Sequence, residues 1–349
     1  MPAPERKSDL PIGCMVPLNL EEAALKLEGM LSTGSEDIFK PIPTGFSHYD
    51  TVMGGGLHSG DLHIVSGVQN IGKTAKVLQM ASFIAAHGVL ALVVCYEHNV
   101  ITLWERLLCQ SSYMGHVDGY VTANALQSAY IATVRERDRL IVQGDGRKLR
   151  LLDEVIGVLP DGVRAWNRLS ERAQNLWLVM GDGLYTTIDA LTQYLEIAFQ
   201  YNNRVVLIID YVQQIPVIET ERRLEAEERI ERALKEIKAL ALRYTNAGKV
   251  LPVIAVAAVD EEGLRRGRVH VEDLWGNAIM QYEPDVVWVG NRDGKTEEGD
   301  SIIRWGIEKN RRGPSDLEFR HIYHGEAYFL DPVGEPVPEE ESWQQERGE

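Results

Sequence analysis

Apolar residues along the chain follow two rhythms. Short unbroken runs recur as LHIVSG (62–67), VLALVVCYE (89–97), NLWLVMGD (175–182), RVVLIID (204–210) and LPVIAVAAV (251–259). Between them lie longer stretches whose apolar residues fall three and four apart: TAKVLQMASFIAAHG (74–88), VITLWERLLCQSSY (100–113), TTIDALTQYLEIAFQYN (186–202) and ERRLEAEERIERALKEIKALALRYTNAGK (221–249). An unbroken run predicts a strand buried on both faces, and the longer period predicts an amphipathic helix. Strands that alternate with helices predict a parallel sheet covered on both sides. Four late runs, PDVVWVGNR, SIIRWGIEKNR, LEFRHIYH and AYFLD, predict closing antiparallel strands. The expected class is α/β, with a mainly parallel sheet and helices on both faces.

The flanks read differently. Residues 1–17 carry Pro2, Pro4, Pro11 and Pro17 and are expected to form a flexible tail. Residues 18–34 predict a lone helix, with Asn19 as N-cap, Glu21 and Glu22 in its first turn and Gly34 as its stop. Leu20, Ala24, Leu27 and Leu31 make a narrow apolar stripe that must dock on its own domain or on a neighbour. The main domain is placed at 35–332, with a less regular insertion at about 115–172. The acidic, proline-punctuated stretch 333–349 is expected to be disordered.

The segment SGVQNIGKTAK (66–76) sits between the first strand and the first long helix. It fits G-x-x-x-x-G-K-[ST] through Gly67, Gly72, Lys73 and Thr74. Glycines let backbone N–H groups wrap phosphates, and the helix N-terminus adds partial positive charge. Gly67, Val68, Gln69, Asn70, Ile71, Gly72, Lys73 and Thr74 are therefore the expected nucleotide loop. Lys73 is expected at the β- and γ-phosphates and Thr74 on Mg²⁺. Asp210 ends a buried strand, where ligands bind such sheets, and is expected to hold Mg²⁺ through water. Glu97 ends the strand after the loop's own helix, and can either activate a water or simply open the next helix. In IEKNRRG (307–313), alternation puts Lys309 and Arg311 on one face, as a solvated edge or as a cation pair for a transferring phosphoryl group.

Composition changes this picture little. The chain has 349 residues, 44% of them hydrophobic, and a net charge of −16. That charge argues against a non-specific nucleic-acid coat, but not against a channel lined by basic loops. Arg222, Arg223, Arg265, Arg266 and Arg268 follow strand ends on the phosphate-loop side and are candidate DNA contacts. Arg147, Lys148 and Arg150 form a weaker cluster. Cys14, Cys95 and Cys109 have no metal-ligand spacing, and an odd, sparse set suits a reducing compartment. Neither a secretory signal nor a bilayer-spanning run is read, so a cytoplasmic location is expected.

The order IPTGF, GGL, GDL, GKT, VCYE, LIIDYVQQI, LKEIKALA, LPVIAVA, DLWGNAIMQYEPDVV and IEKNRRG resembles the C-terminal ATPase domain of DnaB-type replicative helicases over about residues 18–332. The resemblance implies a RecA-like P-loop NTPase, a six-membered ring on single-stranded DNA, and ATP with Mg²⁺. It implies that Glu97 is the catalytic glutamate, that Arg106 lies at the nucleotide, and that Lys309 and Arg311 reach a neighbour's γ-phosphate. It also implies that the 18–34 helix docks on the adjacent subunit.

Three departures accompany the resemblance. The family's N-terminal primase-interacting domain is not seen in this sequence. Ala258 stands where the family has a Gln that couples γ-phosphate to DNA loops. The 115–172 segment is longer than its counterpart and is a candidate surface for a protein partner. Two other readings stay open. One is a RadA- or KaiC-like ATPase that binds DNA or protein without unwinding. The other is a nucleotide-gated assembly module with slow hydrolysis.

Overall fold

The computed structural model describes residues 17–32, 35–115, 119–143, 150–217 and 224–342. The unbroken apolar runs form parallel strands β1 (Leu62–Gly67), β2 (Leu90–Cys95), β3 (Leu176–Met180), β4 (Val205–Asp210) and β5 (Val253–Val256). The late runs form β6 (Val286–Lys295), β7 (Ser301–Asn310), β8 (Leu317–His324) and β9 (Phe329–Leu330), and β10 (Glu335–Pro336) follows beyond them. They join one sheet in the order β10-β8-β7-β6-β1-β5-β4-β2-β3, with β9 pairing β8. From β6 to β3 every pairing is parallel, and β7, β8, β9 and β10 add antiparallel pairings.

Every residue of β1, β2, β4 and β5 is buried, because helices cover both faces of the sheet. The helices are α1 (Leu20–Ser32), α2 (Ser47–Val52), α3 (Lys73–Ala86), α4 (Val100–Tyr113), α5 (Ala123–Val142), α6 (Leu151–Gly157), α7 (Gly162–Ser170), α8 (Ile188–Tyr201), α9 (Ala226–Asn246), α10 (Glu261–Arg265) and α11 (Asn277–Tyr282). One core layer packs α3 and α4 on the sheet through Val77, Leu78, Ala81, Leu103 and Leu107. The other packs α8 and α9 through Leu191, Leu195, Leu234 and Ile237.

Within the first layer, Lys76 of α3 is fully buried, its ammonium nitrogen 4.0 Å from the ring centre of Tyr49 and 4.1 Å from that of Trp305. Phe46 and Trp288 close this cage at 4.6 and 5.2 Å. Burial pushes the Lys76 pKa down, while the ring faces favour the cation.

Helix α1 starts as its sequence dictates. Asn19 Oδ1 accepts from the Glu22 N–H at 2.8 Å, and Glu22 Oε2 accepts from the Asn19 N–H at 2.7 Å. No residue of α1 is buried, and Leu20 is 90% exposed.

Among its described residues the 115–172 segment forms α5, α6 and α7, which bury Leu126, Val155, Ala165 and Leu169 in the core layer that holds α4. One expectation needs correction. The stretch after Pro332 was expected to be disordered, yet its described part is structured. β10 pairs with Arg320 and Phe319 of β8. Arg304 donates to the Glu341 carbonyl at 2.9 Å, and Arg320 pairs with the Glu341 carboxylate at 2.5 Å. Acidic residues that looked solvated are held here by two arginines distant in sequence.

Candidate active site

The C-terminal ends of β1, β2, β4 and β5 open into a cleft of about 670 Å³. Its floor is the loop from Gly67 to Thr74. Gly67 has φ 139°, and a Cβ there would meet the Gly290 carbonyl at 2.2 Å. Gly72 has φ 83°, and a Cβ there would meet the Tyr323 ring at 2.7 Å. Only glycine fits either position. Asn70 carries the remaining left-handed turn, with φ 58°. Ile71 is fully buried and anchors the loop from beneath, and the Val68 N–H donates to the Gly290 carbonyl at 3.2 Å. Gln69 lines the cleft, and its carbonyl accepts from Arg292 at 3.0 Å.

Lys73 opens α3. Its ammonium donates to the carbonyls of Gly67 and Val68, both at 2.9 Å. Burial lowers its pKa to about 8, opposed by the charges of Asp210 and Glu97. Thr74 Oγ1 donates to Asp210 Oδ2 at 2.8 Å. Burial raises the Asp210 pKa, opposed by the bond from Thr74. Cys95 Sγ lies 3.6 Å from the same carboxylate oxygen, and burial pushes that thiol up to about 12.

Glu97 follows β2 and lines the same cleft. Helix α4 begins just beyond it, capped by Asn99, whose side chain accepts from the Thr102 N–H at 2.9 Å. Arg106, two turns into α4, stacks over Tyr328 at 4.9 Å from the ring centre. Gln110 fixes α4 in place, donating to the carbonyls of Ala75 at 2.8 Å and Tyr328 at 2.7 Å. The cleft thus gathers the phosphate loop, Glu97, Arg106 and Asp210 from four separate places in the chain.

Several cleft residues were not singled out from the sequence. His98 follows Glu97, and burial then the Arg106 charge lower its pKa. Adjacency to Glu97 was the one signal for it. Tyr323 and Tyr328 enter only because β8 and the turn into β9 fold back beside the loop, which local pattern cannot show.

Lys309 and Arg311 are not in this cleft. β7 runs antiparallel to β6, so Lys309 pairs with Val287 near the start of β6. Through β6, Lys309 lies in register with Ile64 of β1, roughly 10 Å along the strand from Gly67, and the Arg311 N–H bonds the Asp285 carbonyl next to Leu62, roughly 17 Å from it. Lys309 donates to the carbonyls of Gln281 at 2.6 Å and Tyr282 at 2.8 Å. Arg311 donates to the same Tyr282 carbonyl and pairs with Asp285 at 3.1 Å. Burial and the neighbouring Arg311 lower the Lys309 pKa to about 8. Arg312 pairs with Asp61, just ahead of β1.

Of the candidate DNA contacts, Arg222 and Arg223 lie outside the described residues, as do Arg147 and Lys148. Arg265 is an exposed residue of α10, beyond the cleft end of β5. Arg266 is engaged within the chain, with Glu262 at 3.0 Å and the buried Asp273 at 2.7 Å. Arg268 follows on the same loop. Ala258 lines the cleft with a methyl group alone.

Among the described residues, no cluster of three His, Cys, Asp or Glu could hold a metal, and no helix is long and apolar enough to cross a membrane. Mg²⁺ still fits beside Thr74 and Asp210, because it commonly takes one or two protein groups plus substrate phosphates and water.

The family model for the DnaB-like helicase C terminal domain matches residues 41–145. A solved structure of an ATPase domain matches with a TM-score of 0.65 at 16% identity, covering 90% of this chain and 99% of its own. A DnaB-like replicative helicase, solved in work on its interactions with primase, matches with a TM-score of 0.64 at 16% identity, covering 90% of this chain and 67% of its own. No curated protein sequence matches. The mainly parallel α/β sheet expected from the strand and helix pattern is observed, and so is the RecA-like architecture that the resemblance implied.

Proposed function

We propose that this chain, alike in sequence over residues 41–145 and in fold over 90% of its length to DnaB-like helicase ATPase domains, is an ATP-driven motor that acts as a ring on single-stranded DNA. The observation that carries the reading is the Thr74–Asp210 hydrogen bond beside Lys73, in a cleft that Glu97 also lines. This is the donor set that phosphoryl transfer from a nucleoside triphosphate to water requires.

In this reading Lys73 leaves the carbonyls of Gly67 and Val68 and turns to the β- and γ-phosphates. The loop N–H groups and the N-terminus of α3 hold the remaining phosphate charge. Thr74 and Asp210 would hold Mg²⁺, Asp210 through water, and the ion would supply positive charge against the phosphates. Glu97 orients a water and takes its proton as the water oxygen bonds to the γ-phosphorus. The bond from that phosphorus to the β,γ-bridging oxygen breaks, leaving ADP and phosphate.

Placement of Lys309 and Arg311 at the opposite sheet end supports a role on a neighbouring subunit's nucleotide. The apolar stripe of α1, with Leu20, Leu27 and Leu31 at 90%, 46% and 52% exposure, supports assembly. Arg222, Arg223, Arg265, Arg266 and Arg268 remain the proposed backbone contacts to DNA; Arg265 pairs with Glu261 at 3.9 Å, and Arg266 with Glu262 and Asp273. A cytoplasmic site of action goes with this reading.

Unwinding of a forked DNA by the ATP-loaded protein tests the helicase half of the reading. Strand separation that depends on Lys73 supports it. Hydrolysis without separation favours the second reading, a motor that does not unwind, which the bare methyl of Ala258 motivates.

A further inference from the structure

Beside the phosphate-loop cleft lies a second one of about 340 Å³, lined by Gln213, Gln214, Arg229 and Trp275 among others. One side chain stands between the two. Gln213 lies on the short turn Val212–Gln214, three residues beyond Asp210. Its Oε1 accepts from the Ala258 N–H at 3.2 Å, and its Nε2 donates to the Trp275 carbonyl at 3.4 Å. The Trp275 N–H in turn donates to the Ala258 carbonyl at 3.0 Å. One amide therefore ties together the turn after β4, the end of β5 and the loop ahead of α11.

We propose that Gln213 is the positioning residue that couples the phosphate-loop cleft to the Trp275 cleft, acting through the backbone of Ala258. The route is short. Asp210 shares its carboxylate with Thr74, so a change of partner at Thr74 acts on the end of β4. The turn bearing Gln213 follows directly. An amide offers a donor and an acceptor together, so it fixes both loops at once, and turning it away breaks both bonds. The methyl of Ala258 cannot reach across the clefts, but its backbone is already the meeting point of these bonds.

On the far side, Trp275 is 40% exposed, with the Gln214 amide and the Arg229 guanidinium lining the same cleft. A flat ring with polar groups around it suits a stacked, unpaired nucleobase. The inference rests on the reading of the chain as a DNA-stimulated ATPase.

The test compares wild type with Gln213→Ala and Gln213→Glu. Gln213→Glu keeps the acceptor for Ala258 but loses the donor to Trp275, so it probes coupling with little change of volume. ATP turnover is measured with and without an oligothymidylate, alongside affinity for a fluorescent ADP and thermal unfolding. Both variants are expected to keep unstimulated turnover, ADP affinity and melting temperature, and to lose DNA stimulation by about tenfold, within the range of typical coupling. Trp275→Ala is expected to raise the DNA concentration needed for half-maximal stimulation. Stimulation of both Gln213 variants equal to wild type overturns the inference alone. A joint fall in melting temperature and unstimulated turnover in both also overturns it, since that marks a merely structural role. A wild type indifferent to DNA overturns the functional reading, and this inference with it.

Discussion

Thr74 and Asp210 meet across the cleft: the threonine hydroxyl donates to the carboxylate at 2.8 Å, joining the start of α3 to the end of β4. In the proposed reading these two groups would hold Mg²⁺. Asp210→Asn is expected to raise the Mg²⁺ concentration for half-maximal turnover by about 10–100-fold, as loss of an outer-sphere partner does elsewhere. A Mg²⁺ titration of turnover checks this, and an unchanged midpoint removes Asp210 from the metal's shell.

Glu97 is expected to act on the water, not on the nucleotide. Glu97→Gln should therefore lower turnover by about 10²–10⁴-fold while ADP affinity stays close to wild type. Single-turnover kinetics with a fluorescent nucleotide separates the two effects. A variant that loses binding and keeps its rate would place Glu97 outside the chemistry.

Lys309 and Arg311 cannot serve their own cleft from the other end of the sheet, which makes their role testable by mixing. Arg311→Ala and Lys73→Ala proteins are each expected to be inactive. A mixture should regain turnover, because some interfaces then pair an intact Lys73 with a neighbour's intact Arg311. Mixtures that stay as inactive as their components would contradict action between subunits.

His63 of β1 is 1% exposed, and neither ring nitrogen has a hydrogen-bond partner. Burial lowers its pKa to about 4 from 6.5. Between those values the unfolded chain binds a proton that the folded chain does not. Stability therefore rises with pH through this window and is lost as pH falls from 6.5 toward 4. The shift corresponds to roughly 3 kcal/mol at full effect. Buried His321, lowered to about 3, adds in the same direction. Urea unfolding at pH 7 and pH 5 should show the loss, and His63→Leu should reduce it without abolishing it.

The strands were legible because burial on both faces leaves a signature that needs no long-range knowledge. The phosphate loop was legible because Gly67, Gly72, Lys73 and Thr74 keep a fixed spacing between a strand and a helix, while the Gly290 carbonyl and Tyr323 ring that crowd those glycines come from far along the chain. Glu97 and Asp210 were legible as carboxylates at strand ends. The rest depends on contacts distant in sequence. Tyr323 and Tyr328 reach the cleft through the antiparallel return of the sheet. The 335–342 segment is held by Arg304 and Arg320, which no local pattern connects to it. The bridge from Gln213 to Ala258 depends on where one side chain is aimed. Alternation had put Lys309 and Arg311 on one face, and both indeed reach the Tyr282 carbonyl, but only the sheet order shows how far they lie from Gly67.

The central claim is that nucleotide chemistry at Lys73 and Glu97 drives movement on DNA. ATP turnover with and without single-stranded DNA, with Lys73→Ala as the blank, tests it most directly. The account predicts several-fold stimulation by DNA in the wild type and none above background in the blank. Turnover that depends on Lys73 yet ignores DNA at low salt would contradict it.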